Sequence, residues 1–128
     1  MKLFTVKEAN DLLSAIRPKL ESVRNHYAAI QALRESAKAA AQAAAFGGGM
    51  ESGTNYVKAL YEIGKLTTEL NEIGVQLKDY SRGLIDFPCH REGEIVLLCW
   101  QFDDGDRIEW WHEIETGFAG RKALDFGF

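Results

Sequence analysis

The chain has 128 residues, 46% hydrophobic and 27% charged, with a formal net charge of −4. That length suits one domain, residues 1–128, able to bury a core without staples, and two cysteines are too few for a disulfide scaffold. No window approaches the ~18 continuous apolar residues of a membrane span, and Lys2, Lys7 and Glu8 break up any signal-peptide core, so a reduced, cytoplasmic setting without a membrane partner is expected.

Charge is uneven along the chain. Residues 1–82 carry 11 Lys+Arg against 9 Asp+Glu, whereas residues 83–128 carry 4 against 10. An acidic C-terminal part argues against nucleic-acid binding, which needs a basic footprint. It leaves room for a cation or a basic partner.

The first helix opens at Thr5-Val6-Lys7-Glu8, a capping box in which Thr5 and Glu8 satisfy each other's amides. Apolar residues then recur at Leu13, Ile16, Leu20, Val23, Tyr27, Ile30, Leu33 and Ala37, in steps of three or four. The alanine-rich run Ala39–Ala45 prolongs the helix by propensity, and Gly47-Gly48-Gly49 stops it. Met50–Thr54 completes a loop. A second helix is expected from Asn55 to Arg82, with its seam at Tyr56, Ala59, Ile63, Leu66, Leu70, Ile73, Leu77 and Tyr80. Gly64 and Gly74 lie off that seam. Two helices joined by a short loop predict a long antiparallel, coiled-coil-like hairpin over residues 1–82. Pro18 predicts a kink, beyond which Val6–Arg17 leaves the hairpin and packs on the segment after helix 2.

From Gly83 the period changes. Gly83–His90 reads as a short strand, Arg91–Glu94 as a turn and Ile95–Phe102 as a second strand. Asp104-Gly105 carries a hairpin signal ahead of a third strand, Arg107–Glu113. The fold expectation is therefore α+β: the helical hairpin joined to a three-stranded antiparallel sheet, residues 83–128, with an irregular C-terminal tail.

Several ordered segments carry a resemblance. They are Phe4–Asn10, Gly74–Asp79, Arg82–Pro88, Leu98-Cys99-Trp100, Trp111-His112-Glu113 and Gly117–Arg121. Together they resemble the bacterial domain-of-unknown-function family 2203 over nearly the whole chain, although the Ala- and Gly-rich stretch between the helices is not part of the pattern. The resemblance implies no established activity and carries over no catalytic residue.

Turn chemistry predicts the strand registers. A turn at Glu92-Gly93 pairs Asp86 with Cys99, and one at Asp104-Gly105 pairs Cys99 with Trp110 and Leu97 with His112. Alternation then puts Ile85, Phe87, Cys89, Val96, Leu98, Trp100, Phe102 and Trp111 on a core face. Asp86, His90, Leu97, Cys99, Ile108, Trp110 and His112 fall on the other. Asp86 and Cys99 become direct neighbours, with His112 diagonal to Cys99. A carboxylate, a thiolate and an imidazole are ligand types that a divalent metal such as zinc prefers, so Asp86, Cys99 and His112 are the candidate metal ligands. Each also has a packing explanation: Cys99 as a small buried hydrophobe, His112 as a hydrogen-bonded neighbour of two tryptophans, Asp86 as an acceptor for turn amides. Arg121, in the Gly117–Arg121 loop, is a candidate anion or ligand contact.

Catalytic motifs are absent, and long apolar seams supply binding area. The leading expectation is thus a non-enzymatic interaction or scaffold module that forms a homodimer through its helices. The alternative is a small metal-binding protein or metalloenzyme using the three sheet residues. A third, weaker reading is a small-ligand binder around Trp110–Arg121.

Overall fold

The computed structural model describes residues 1–44 and 53–128. Helix α1 spans Val6–Ala44 and helix α2 Gly53–Ile73. Five strands succeed them: β1 Gln76–Asp79, β2 Leu84–Arg91, β3 Glu94–Trp100, β4 Trp110–His112 and β5 Lys122–Ala123. They form one antiparallel sheet in the order β1-β2-β3-β4-β5. No helix among the described residues is long and apolar enough to cross a membrane. The expected stop at Gly47–Gly49 lies outside the described residues.

The start of α1 follows its sequence. The Glu8 N–H donates to Thr5 Oγ1 and the Thr5 N–H to Glu8 Oε1, each at 3.0 Å, which closes the capping box. The helix runs without a break through Pro18, which lies on its exposed side. Leu13, Ile16, Leu20, Val23 and Ile30 are buried as the seam requires. Along α2, Ala59 and Ile63 cluster with Ile30, and Lys19 pairs with Glu69 at 2.6 Å.

The sheet has five strands rather than three, and the first correction concerns the end of α2. The helix ends at Ile73, not Arg82, because Gly74 adopts φ +102°. The Val75 N–H donates to the Leu70 carbonyl at 3.0 Å and the Gly74 N–H to the Asn71 carbonyl at 3.0 Å. That is a Schellman ending. Leu77 and Tyr80, the last steps of the apparent seam, therefore leave the helix, Leu77 in β1 and Tyr80 in the turn after it. At the other edge, the tail expected to be irregular supplies β5, which pairs Trp110 with Ala123 and Trp111 with Lys122.

The second correction concerns Asp104-Gly105. Residues Phe102–Asp104 form a 3₁₀ turn in place of a two-residue hairpin, and the strand expected over Arg107–Glu113 shortens to Trp110–His112. The longer loop is pinned to α1: Asn10 accepts the Ile108 N–H at 2.8 Å, and Arg17 pairs with Asp106 at 2.8 Å. The registers hold nonetheless, with Asp86 opposite Cys99, Leu97 opposite His112 and Cys99 opposite Trp110.

Phe4, Ala9, Leu13, Ile16 and Leu20 pack with Leu70 and Val75 on one sheet face, against Ile85, Phe87, Cys89, Val96, Leu98, Trp100 and Trp111. Phe102 is partly buried at the edge of this core, and Ile108, expected on the opposite face, belongs to it. The first turns of α1 thus close one side of the sheet. The other side carries the chemistry.

Candidate metal centre

Three adjacent strands each contribute one side chain to the second face. Asp86 stands on β2, Cys99 on β3 and His112 on β4, at 3%, 0% and 2% exposure. His112 reaches across β3, so that its Nε2 lies 3.1 Å from Asp86 Oδ1. The ligand atoms of the three residues lie within 4.8 Å of one another. Alternation explains the gathering. Asp86 and Cys99 are direct cross-strand partners, and His112 stands opposite Leu97, two residues from Cys99 on the same face.

The imidazole tautomer is set by its partners. His112 Nδ1 sits 2.7 Å from the Glu113 carbonyl oxygen. That oxygen only accepts, so Nδ1 carries a hydrogen and donates it. Nε2 and the Asp86 carboxyl then hold a single proton between them. Burial pushes the Asp86 carboxyl above the usual carboxylate range, while His112 and the charge of Lys78 oppose that rise. The Cys99 thiol is pushed up to about 12, first by burial and then by the neighbouring Asp86 charge, with the Arg121 guanidinium pulling the other way. At neutral pH Cys99 is a thiol.

The residues fit a metal. Ligating histidines commonly donate their outer N–H to a carbonyl, as His112 does. A tetrahedral zinc holds its ligand atoms ~3.3–3.8 Å apart, so the observed spread of up to 4.8 Å closes with side-chain shifts of about 1 Å. Zinc would take the place of the proton now between His112 and Asp86. A pocket of about 370 Å³ opens over Asp86 and His112, lined also by Leu84, Leu97, Ile114 and Phe118. Three protein ligands with one accessible side is the layout of zinc sites that keep a position for water or a ligand.

The family comparison covers almost the same span as the site and its scaffold. A family model described as Uncharacterized conserved protein (DUF2203) matches residues 2–124. The chain belongs to this family. No curated protein and no solved structure matches it.

The other sequence candidates of this DUF2203 chain take different places. Arg121 donates to both oxygens of Asp104, at 2.6 and 3.2 Å, and lies over the rings of Trp110 and Phe118. Its fork is thus filled by an internal carboxylate, and its flank lies near Cys99. Asp104 also accepts the Gln101 N–H at 3.0 Å, which explains why Asp104-Gly105 builds a pinned turn rather than a hairpin. His90 is exposed at the end of the face, and Trp110 is half-buried. Sequence reasoning missed Gln76 and Lys78, which line the pocket from β1. The signal for them was Gly74: a glycine directly after Ile73 is a helix stop, and the residues beyond such a stop are free to form a strand.

Proposed function

We propose that this chain binds a divalent metal ion, with zinc as the fitting ion, through Asp86, Cys99 and His112. One observation carries the reading: three zinc-type ligands from three strands are fully buried together, with their ligand atoms within 4.8 Å. A sheet that needed only packing would be as stable or more so with apolar residues at these positions, because a buried ionisable pair pays desolvation that its attraction barely offsets. Zinc titration by calorimetry, on protein purified without a histidine tag, is expected to give one ion per chain. Cys99→Ser and His112→Ala should each lower the affinity at least a hundredfold, whereas His26→Ala, on α1, should leave it unchanged. Cobalt in place of zinc should show thiolate charge-transfer absorption that Cys99→Ser abolishes. A chain that takes up no stoichiometric zinc refutes the reading.

A second reading is favoured by the exposed apolar side chains of α2. Val57 and Tyr61 are 64% and 67% exposed, and Leu60 lies beside them. They border a groove that His26, Ala29 and Leu33 line from α1. We propose that α1 and α2 form an antiparallel hairpin and that two such hairpins pair as a four-helix bundle, making the cytoplasmic protein a homodimer. Light scattering should then give twice 14.3 kDa, and Val57→Glu with Tyr61→Glu should return the monomer mass. A monomer at micromolar concentration refutes it.

A further inference from the structure

We propose that the pocket over the metal centre receives a small monocarboxylic acid with an apolar body, its carboxylate bound between the metal, Gln76 and Lys78. The inference rests on the metal-binding reading and names the ligand class of that site.

Size comes first. At about 370 Å³ the pocket stands near the lower end of the ~300–1,000 Å³ typical of ligand sites. At ~30 Å³ per water-sized group, it holds about a dozen non-hydrogen atoms. That admits a metabolite-sized molecule and excludes a dinucleotide. The walls decide the body of the ligand: Leu84, Ile95, Leu97, Ile114 and Phe118 are apolar and make up much of the lining.

The polar end is set by β1. Gln76 and Lys78 both line the pocket, Lys78 from the irregularity in β1 between Leu77 and Asp79. Gln76 is the direct cross-strand partner of Asp86, and both residues line the pocket with Asp86 and His112. An amide N–H₂ and an ammonium therefore stand next to the metal position, and both are donors.

Charge selects an anion. A divalent ion held by an Asp86 carboxylate, a Cys99 thiolate and a neutral His112 makes a centre of no net charge. A carboxylate entering the open position adds one negative charge. Lys78 is the one Lys or Arg among the described lining residues, and it takes part in none of the ion pairs among the described residues. It supplies positive charge for an anion, and Met1, which carries the N-terminal amine, lines the same pocket. A phosphate brings no body for the apolar wall of Leu84, Ile95, Leu97, Ile114 and Phe118.

The test uses zinc-loaded full-length chain, with zinc content measured first, titrated with hexanoate, hexanol, hexylamine and inorganic phosphate. Hexanoate is expected to bind at least tenfold more tightly than the other three. Lys78→Met, a substitution at an exposed side chain, should erase that tenfold advantage in protein shown by its zinc content to be loaded with one ion per chain. Leu97→Trp should block hexanoate by filling the apolar end. Zinc-loaded protein that binds hexanoate no better than hexanol, prefers phosphate, or keeps its preference in Lys78→Met overturns this inference while the metal site stands. Failure to load zinc overturns both.

Discussion

Cys99 and the Asp86–His112 pair set the proton chemistry of the site. The thiol is held protonated up to about 12 by burial and by the Asp86 charge, and one further proton lies between His112 Nε2 and Asp86. A metal ion needs the thiolate, the carboxylate and the free Nε2 lone pair. Binding near neutral pH must therefore expel the Cys99 proton, and with it any proton held between His112 and Asp86. The sign is unambiguous: raising the pH helps the metal compete, and the dependence continues upward because the thiol does not ionise on its own below about 12. Zinc affinity should rise at least about tenfold per pH unit between pH 6 and 8 through the Cys99 proton, after correction for buffer binding. Calorimetry in buffers of different ionisation enthalpy should count at least about one proton released per ion. In Cys99→Ser the count should fall by about one. A count near zero would mean that Asp86 and Cys99 are not ligands.

Among the elements, the junction between α2 and β1 places the pocket's polar wall, and it depends on Gly74. The residue adopts φ +102°, and a Cβ there would stand 3.0 Å from the Lys2 Cβ and 3.4 Å from the Phe4 ring. Gly74→Ala combines a strained backbone with crowding. It should cost about 1–2 kcal/mol, more than the ~1 kcal/mol by which alanine improves on glycine inside a helix. Urea unfolding measures this directly, and a stabilised variant would mean that α2 continues past Ile73. The same junction shows what was legible in the sequence. The steps of three and four through Leu70 and Ile73 reach on to Leu77 and Tyr80 by coincidence, since a short strand with one apolar residue fits a helical seam equally well. β5 was illegible for a similar reason: two residues, Lys122 and Ala123, carry no period. The β2–β3 register was readable because alternation and the Glu92-Gly93 turn act locally; the β3–β4 register came out right although Asp104-Gly105 is not a two-residue hairpin, since a one-residue slip would have moved the large hydrophobes off the core face. Those registers alone bring Asp86, Cys99 and His112 together. Burial of the site face was not readable, because it depends on the chain after β4: Gly117 and Phe118 line the pocket over Asp86 and His112, and Arg121 packs near Cys99.

On the scale of the whole molecule, the sheet is a shared wall. One side is sealed by Phe4, Ala9, Leu13, Ile16 and Leu20, and the other holds the candidate metal centre on the same three central strands. A metal at the proposed site would need β2, β3 and β4 in register, so its binding free energy would add to the stability of the entire fold. Core damage and metal binding should therefore trade against each other although they lie on opposite faces. Leu13 is fully buried, and Leu13→Ala should cost about 2–5 kcal/mol as a cavity-forming change. Free zinc at a thousand times its dissociation constant should return about 4 kcal/mol. The melting temperature of Leu13→Ala should thus fall in metal-free buffer and recover most of the loss with zinc, while the double variant Leu13→Ala, Cys99→Ser should show no recovery. The outcome separates a metal that belongs to the native fold from one adhering to exposed carboxylates. Adherent zinc would raise both melting temperatures equally, or neither.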